Sequence, residues 1–246
     1  MFIDTKSNRE TTIDREIPPA GLLTEQLAMA SALTPADTRE LRKNDRRRSI
    51  LEAAARQFAQ HGYTDCDMER VAATLKIAKG TLYLYFPAKR ELFLACVDWG
   101  MSEMQRLVVE ATESETDPFL KIARAIRVYL EFFDQNPHLV ELLIQERALF
   151  RERKRGAYFE HREELRDIFR AYYQELVTQG VFRTDLPLER LLDSIGALLY
   201  GTMLSTNAVG RTISLDEQYR AVMTTGFGGL MTIKGQARLE ILRNPS

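Results

Sequence analysis

The chain has little of what catalytic, metal-binding and secreted proteins rely on. Among 246 residues there are two cysteines, three histidines and one tryptophan. Cys66 and Cys96 have neither zinc-site spacing nor the numbers for a disulfide framework, which points to a reducing, cytoplasmic setting. His61, His138 and His161 fall in no helical HExxH or Glu-x-x-His arrangement. A Gly-rich phosphate loop and a nucleophile elbow are both missing. No metal, no cofactor and no enzymatic role is therefore expected, and a helical-bundle enzyme remains an alternative without a motif behind it. No run approaches the ~20 apolar residues that span a bilayer, so no membrane partner is expected. The opening MFIDTKSNRETTID mixes both charge signs and lacks the apolar core of a secretory signal. Sustained apolar–polar alternation, the mark of strands, is also missing. With 45% hydrophobic residues, the expectation is an all-α fold with a sizeable core.

Charge is present in both signs but unevenly placed. The formal net charge is −1, yet residues 39–89 hold 11 basic against 6 acidic residues, leaving 23 basic and 29 acidic elsewhere. A short basic region joined to a long acidic one suits a polyanion at one end only.

Helical periodicity then divides the chain. Residues 1–33, with Pro18-Pro19 inside, read as a poorly ordered extension. Thr34-Pro35 is a helix start, and Ile50, Leu51, Ala54, Ala55 and Phe58 form a stripe that stops at His61-Gly62. Asp67 precedes a second short helix with Met68, Val71, Ala72 and Leu75 on one face. After a break of a few residues, Leu82 and Phe86 share a face in a third helix. Two helices this short need the upstream helix to bury their apolar sides.

The sequence GYTDCDMERVAATLKIAKGTLYLYFPAKRELF, Gly62 to Phe93, resembles the DNA-binding domain of the TetR family of transcriptional regulators. Gly80 to Lys89 fit that family's Gly-Thr-Leu-Tyr-x-Tyr-Phe-x-x-Lys pattern at every stated position. The resemblance implies an N-terminal three-helix helix-turn-helix domain over 34–90, with its motif at 67–86. A larger helical bundle for ligand binding and dimerisation would follow over 91–233, and a frayed tail over 234–246. It also implies double-stranded operator DNA, a second copy of the chain and a small-molecule effector as partners. Lys79, Gly80, Thr81, Tyr83, Tyr85 and Lys89 match positions that commonly contact operator DNA in the family. Tyr85, three residues from Leu82, has a packing reading as well. Thr64 is a further phosphate candidate, and Arg46 and Arg47 stand in the basic run before the motif, where an arm can reach the backbone or minor groove. Two positions depart from the family pattern. Lys76 stands where Gly is usual in the turn, and Ala78 where a capping Ser or Thr is usual.

Downstream, Asp117-Pro118, Asn136-Pro137 and the Ser214…Glu217 capping box mark further helix starts. The aromatics of the middle helices exceed what a minimal core needs. Trp99, Tyr129, Phe133, Phe169 and Tyr172, with His138 as a polar handle, are the candidate lining for an apolar or aromatic effector. Leu191, Ile195, Leu198, Met223 and Phe227 on the last two long helices are the candidate dimer interface. The expected function is sequence-specific, ligand-released repression. An activator, or a regulator governed by a protein partner, is the alternative.

Overall fold

The computed structural model describes residues 34–210 and 213–243, so the extension over residues 1–33 lies outside the described residues. Two units are distinguished, residues 1–46 and 47–246. Of the first, the structure describes the opening turns of helix α1 (Pro35–Asp65). Thr34 caps it: its hydroxyl accepts the Asp37 amide at 3.2 Å, and Asp37 accepts the Thr34 amide at 2.9 Å. Arg42, Lys43 and Arg46 are exposed on these turns.

Apart from one isolated bridge between Phe182 and Met231, the second unit is helical among its described residues. The helix α1 is interrupted at Gly62, whose φ of 76° and ψ of 158° leave the helical region, as the His61-Gly62 stop anticipates. Helices α2 (Met68–Thr74) and α3 (Lys79–Tyr85) follow, and α4 (Lys89–Glu113) runs from them into the remaining helices. These are α5 (Pro118–Gln135), α6 (Pro137–Leu149), α7 (Ala157–Thr178), α8 (Leu188–Val209), α9 (Leu215–Gly228) and α10 (Ile233–Arg243). Their starts follow local chemistry. Asp117 accepts the Phe119 and Leu120 amides, and Ser214 with Glu217 closes a capping box. Gly156 offers α7 no side-chain cap, so the buried Glu146 of α6 accepts the Ala157 amide instead, at 3.2 Å. Burial pushes the Glu146 carboxyl above its ordinary value, against the pull of that amide and of Arg153.

The core runs without a break from Ile50 in α1 to Met231. Gly100 lets α4 lie close to α6: a Cβ there would meet Leu139 Cδ2 at 2.8 Å. The segment from Lys234 onward, expected to fray, is helical up to Arg243. Thr232 Oγ1 donates to Gly180 O at 2.7 Å, Lys234 Nζ donates to Gln179 O at 2.9 Å, and Arg238 pairs with Asp117. Gly235 brings the backbones together, since a Cβ there would meet Val181 O at 2.4 Å. These partners lie over fifty residues upstream, beyond the reach of local pattern.

Candidate nucleic-acid interface and ligand cavity

Helix α2 is held at both ends by short-range bonds. Asp67 Oδ1 accepts the Arg70 amide at 2.7 Å. At the other end the Ile77 amide reaches Ala72 O and the Lys76 amide reaches Ala73 O, both at 3.0 Å, the paired bonds of a Schellman stop. That stop needs a left-handed residue, and Lys76 supplies it with φ of 53°. It is the one non-glycine with positive φ among the described residues. Helix α3 then begins after Ala78, which makes no side-chain cap. Lys76 thus takes on a left-handed backbone, while Ala78 leaves the first amides of α3 without a side-chain cap.

Leu82 and Phe86 are buried and hold α3 against the core, which turns its other faces outward. Tyr83 is exposed and Thr81 half-exposed, and a Cβ at Gly80 would meet nothing within 4 Å. Gly80 therefore adds no side chain that would hold a surface away from the start of α3. Tyr85 is half-buried and packs on the core, in line with its packing reading. Leu84 is 85% exposed, more than any other large apolar side chain in α1–α4. Sequence reasoning passed over it because it occupies the variable position of the motif, although an apolar residue between two tyrosines was the signal.

The basic residues divide into held and available ones. Lys79 Nζ pairs with Glu69 at 2.5 Å, and this hydrogen bond keeps its ammonium above its ordinary value. Both partners are largely exposed, so water screens the pair and phosphate can replace the carboxylate at little cost. Arg47 lies over the Phe86 ring at 5.0 Å, which fixes it beside the end of α3. Thr64 is exposed, as is Arg46 on the opening part of α1. Lys89 departs from its expected role as a phosphate clamp. Its Nζ donates to Thr64 O and Cys66 O, each at 2.9 Å, and lies 4.8 Å from the Tyr63 ring. It closes the end of α1 onto the start of α4, a task set by where α1's last carbonyls happen to end.

The body reaches this region through α6. Gln145 Oε1 accepts the Tyr63 amide at 2.8 Å, and its Nε2 donates to Phe58 O at 3.2 Å, on either side of the Gly62 break. Phe93 and Phe150 complete an aromatic cluster with Phe58 and Tyr63, at ring spacings of 5.0–6.1 Å.

Farther along α4, Met104 and Val108 line a cavity of about 120 Å³ together with α5, α7 and α8. Of the expected effector residues, Tyr129 and Phe169 line it. Phe133 lines a neighbouring cavity of about 230 Å³ that shares Tyr129. Trp99 and Tyr172 pack on the core, and His138 sits half-buried near Arg56, lowered in pKa mainly by burial; these three line neither cavity. Helix rotation decides which aromatic faces a void, and spacing alone does not reveal it. Sequence reasoning also missed Tyr158, Arg162 and Arg166. Arg162, Arg166 and Arg170 recur every four residues, as do Glu189 and Asp193, a complementary pattern between helices that was there to be read.

The candidate dimer residues need correction. Leu191, Ile195, Met223 and Phe227 are buried within the chain, and Leu198 is half-buried. Leu191, Ile195, Met223 and Phe227 belong to the faces with which α8 and α9 meet their own core, while Leu198 lines the outward groove between the two helices. The outward side of the pair is a groove of about 580 Å³ lined by uncharged residues, small ones such as Ala197, Gly201 and Ala221 beside the apolar Leu198, Val209 and Val222. No charged residue occurs from Ser194 to Val209 or from Ala221 to Ile233.

Residues 50–96 match the family model described as bacterial regulatory proteins, tetR family. The chain is 33% identical over 112 residues to the uncharacterized HTH-type transcriptional regulator YhgD of Bacillus subtilis, covering 42% of this chain and 59% of YhgD. It is 27% identical over 173 residues to the HTH-type transcriptional repressor AcnR of Corynebacterium diphtheriae, covering 70% of this chain and 86% of AcnR. A solved chain from Saccharomonospora viridis, described as a transcriptional regulator in complex with choline, superposes with a TM-score of 0.60 at 18% identity, covering 77% of this chain and 99% of that one.

Proposed function

Since the chain belongs to the TetR family of bacterial regulatory proteins, whose members regulate transcription by binding DNA, we propose that it acts as a dimeric repressor released from its operator by a small apolar molecule. The observation that carries the reading is the outward face of α3, where Gly80, Thr81, Tyr83 and Leu84 are presented together while Leu82 and Phe86 anchor the helix from behind. An α-helix fits the major groove, whose base edges offer distinct donors, acceptors and the thymine methyl. Tyr83 supplies a hydroxyl on a rigid ring, Leu84 suits a thymine methyl, and Lys79 and Arg47 neutralise backbone phosphates.

One such head holds few phosphates and would bind weakly. A second copy docked on the uncharged groove of α8 and α9 presents two heads to two half-sites. Release is supported by the course of α4. It runs from Lys89, beside the motif, to Met104 at the cavity, about 22 Å along the helix axis at 1.5 Å per residue. A molecule held between α4, α5, α7 and α8 favours whichever placement of α4 it binds better, and shifts the heads accordingly.

The test is titration of the purified protein on its own upstream DNA at two salt concentrations. Tyr83→Ala is expected to lose preference for that DNA over random DNA by about tenfold or more. Lys79→Ala is expected to weaken binding to both and to reduce the salt slope by about one. Wild-type protein with no preference for any sequence, including those drawn from a random pool, would refute the reading.

A further inference from the structure

The lining of the α4–α5–α7–α8 cavity is aliphatic and aromatic apart from two arginines, with Tyr129, Tyr158 and Tyr173 bringing the phenols. Among the described residues that line it, the only charged side chains are Arg162 and Arg166, and no carboxylate faces in. The two arginines are held very differently. Arg166 is clamped by Glu189 at 2.7 and 3.1 Å and by Asp193 at 2.9 Å. Arg162 has one ion pair among the described residues, to the same Asp193 oxygen at 3.3 Å. Asp193 is thus shared, and Arg162 has the weaker share.

Beside Arg162 lie two buried phenols. Tyr129 and Tyr158 join their hydroxyls at 3.0 Å, and the remaining direction of Tyr129 meets the Met203 sulfur at 3.7 Å. A thioether is a weak acceptor, so one phenol proton has no strong partner. Burial keeps both phenols protonated, as donors, and the Arg162 charge is near enough to act on each. The fold also makes room for this guanidinium. A Cβ on Gly196 would meet Arg162 Nη1 at 2.8 Å and Cζ at 2.9 Å. Gly196 sits inside α8, where glycine disfavours a helix relative to alanine.

We propose that this cavity takes an apolar monocarboxylic acid as its anion, with the carboxylate received by Arg162 and the Tyr129–Tyr158 pair. The hydrocarbon lies among Met104, Val108, Ile126 and Leu199. Guanidinium matches a carboxylate in shape and charge, and the ligand's oxygens replace the long bond to Asp193. A cationic ligand meets two arginines and no acid. A neutral one brings no charge to Arg162. The inference rests on the reading of this cavity as the effector site.

The experiment is calorimetric titration of the full chain with octanoate, octan-1-ol and octyltrimethylammonium, each repeated while operator DNA binding is recorded. Octanoate is expected to bind about tenfold or more tighter than octanol, and the ammonium compound not at all. Arg162→Gln and Gly196→Ala are each expected to bring octanoate down to the octanol affinity while changing octanol less than about twofold. Gly196→Ala serves as the second variant because only the tip of a flexible arginine must move, so its melting temperature is expected to hold or rise. Octanol binding as well as octanoate, retention of the preference by both variants, or no binding by any of the three overturns the proposal. Arg162-dependent octanoate binding that leaves operator affinity unchanged upholds the carboxylate site and overturns the effector reading. Operator release by octanol alone does the reverse.

Discussion

Helix α3 and the pair α8–α9 each leave a face uncovered, and the two faces differ in what they expose. The face of α3 carries Tyr83, Leu84 and the bare backbone at Gly80, with Lys79 and Arg47 at its edges. The face of α8 and α9 carries alanine, glycine, serine and threonine together with Leu198, Val209 and Val222, over a long stretch without charge. Large exposed side chains beside solvent-exposed cations suit a deep groove with a charged rim. Small uncharged residues suit close approach of another protein surface. On the proposed reading, one face serves a polyanion and the other a second copy of the chain, and each is recognisable by what it leaves out.

The sharpest way to break this comparison is to put a charge on the face that lacks one. Gly201→Glu adds a side chain where a Cβ meets nothing within 4 Å, so the single chain is expected to fold unchanged. In a twofold dimer the substitution places unpaired carboxylates in a dry interface, which costs several kcal/mol. Sedimentation is expected to show a monomer, and operator affinity to fall by about a hundredfold or more. A dimer that persists with full affinity would place the interface elsewhere.

On the other face, Leu84→Ala is expected to lower operator affinity by about tenfold at unchanged melting temperature, because the side chain contributes nothing to the core. An equal loss on random DNA would mean that Leu84 does not read sequence. Between the faces, Gln145→Ala removes two bonds to the backbone around the Gly62 break. A loss of about 1–2 kcal/mol in stability is expected. The effect of ligand on operator affinity should shrink at the same time, as seen in paired DNA titrations with and without ligand. Unaltered coupling would assign the link to α4 alone.

The two faces were not equally legible in the sequence. The motif was, because its signals are local: Asp67 caps, Leu82 and Phe86 share one face, and the whole pattern lies within twenty residues. Lys89 escaped because its partners, the carbonyls of Thr64 and Cys66, depend on how α1 ends against α4. On α8 and α9 the periodicity pointed mostly to the side that the chain's own core claims first; hence Met223 and Phe227 are buried, and of the five expected residues Leu198 alone lines the uncovered groove. The cavity was the least legible part. Apolar side chains at one spacing serve packing and lining alike, and Tyr129 and Trp99 part ways only through helix rotation.

The smallest expected effect concerns the turn that positions the DNA-facing helix. Lys76 holds φ of 53° to complete the Schellman stop of α2, where a side chain with Cβ crowds the following carbonyl. Glycine has no such conflict, so Lys76→Gly is expected to stabilise the fold by about 1 kcal/mol. The side chain is exposed and no ion pair is recorded for it among the described residues, so no partner is lost with it. Part of the gain is offset by the greater freedom of glycine in the unfolded chain. Chemical denaturation of the two proteins gives the sign directly. A destabilised variant would mean that unfolded-chain entropy outweighs relief of the left-handed strain at this turn.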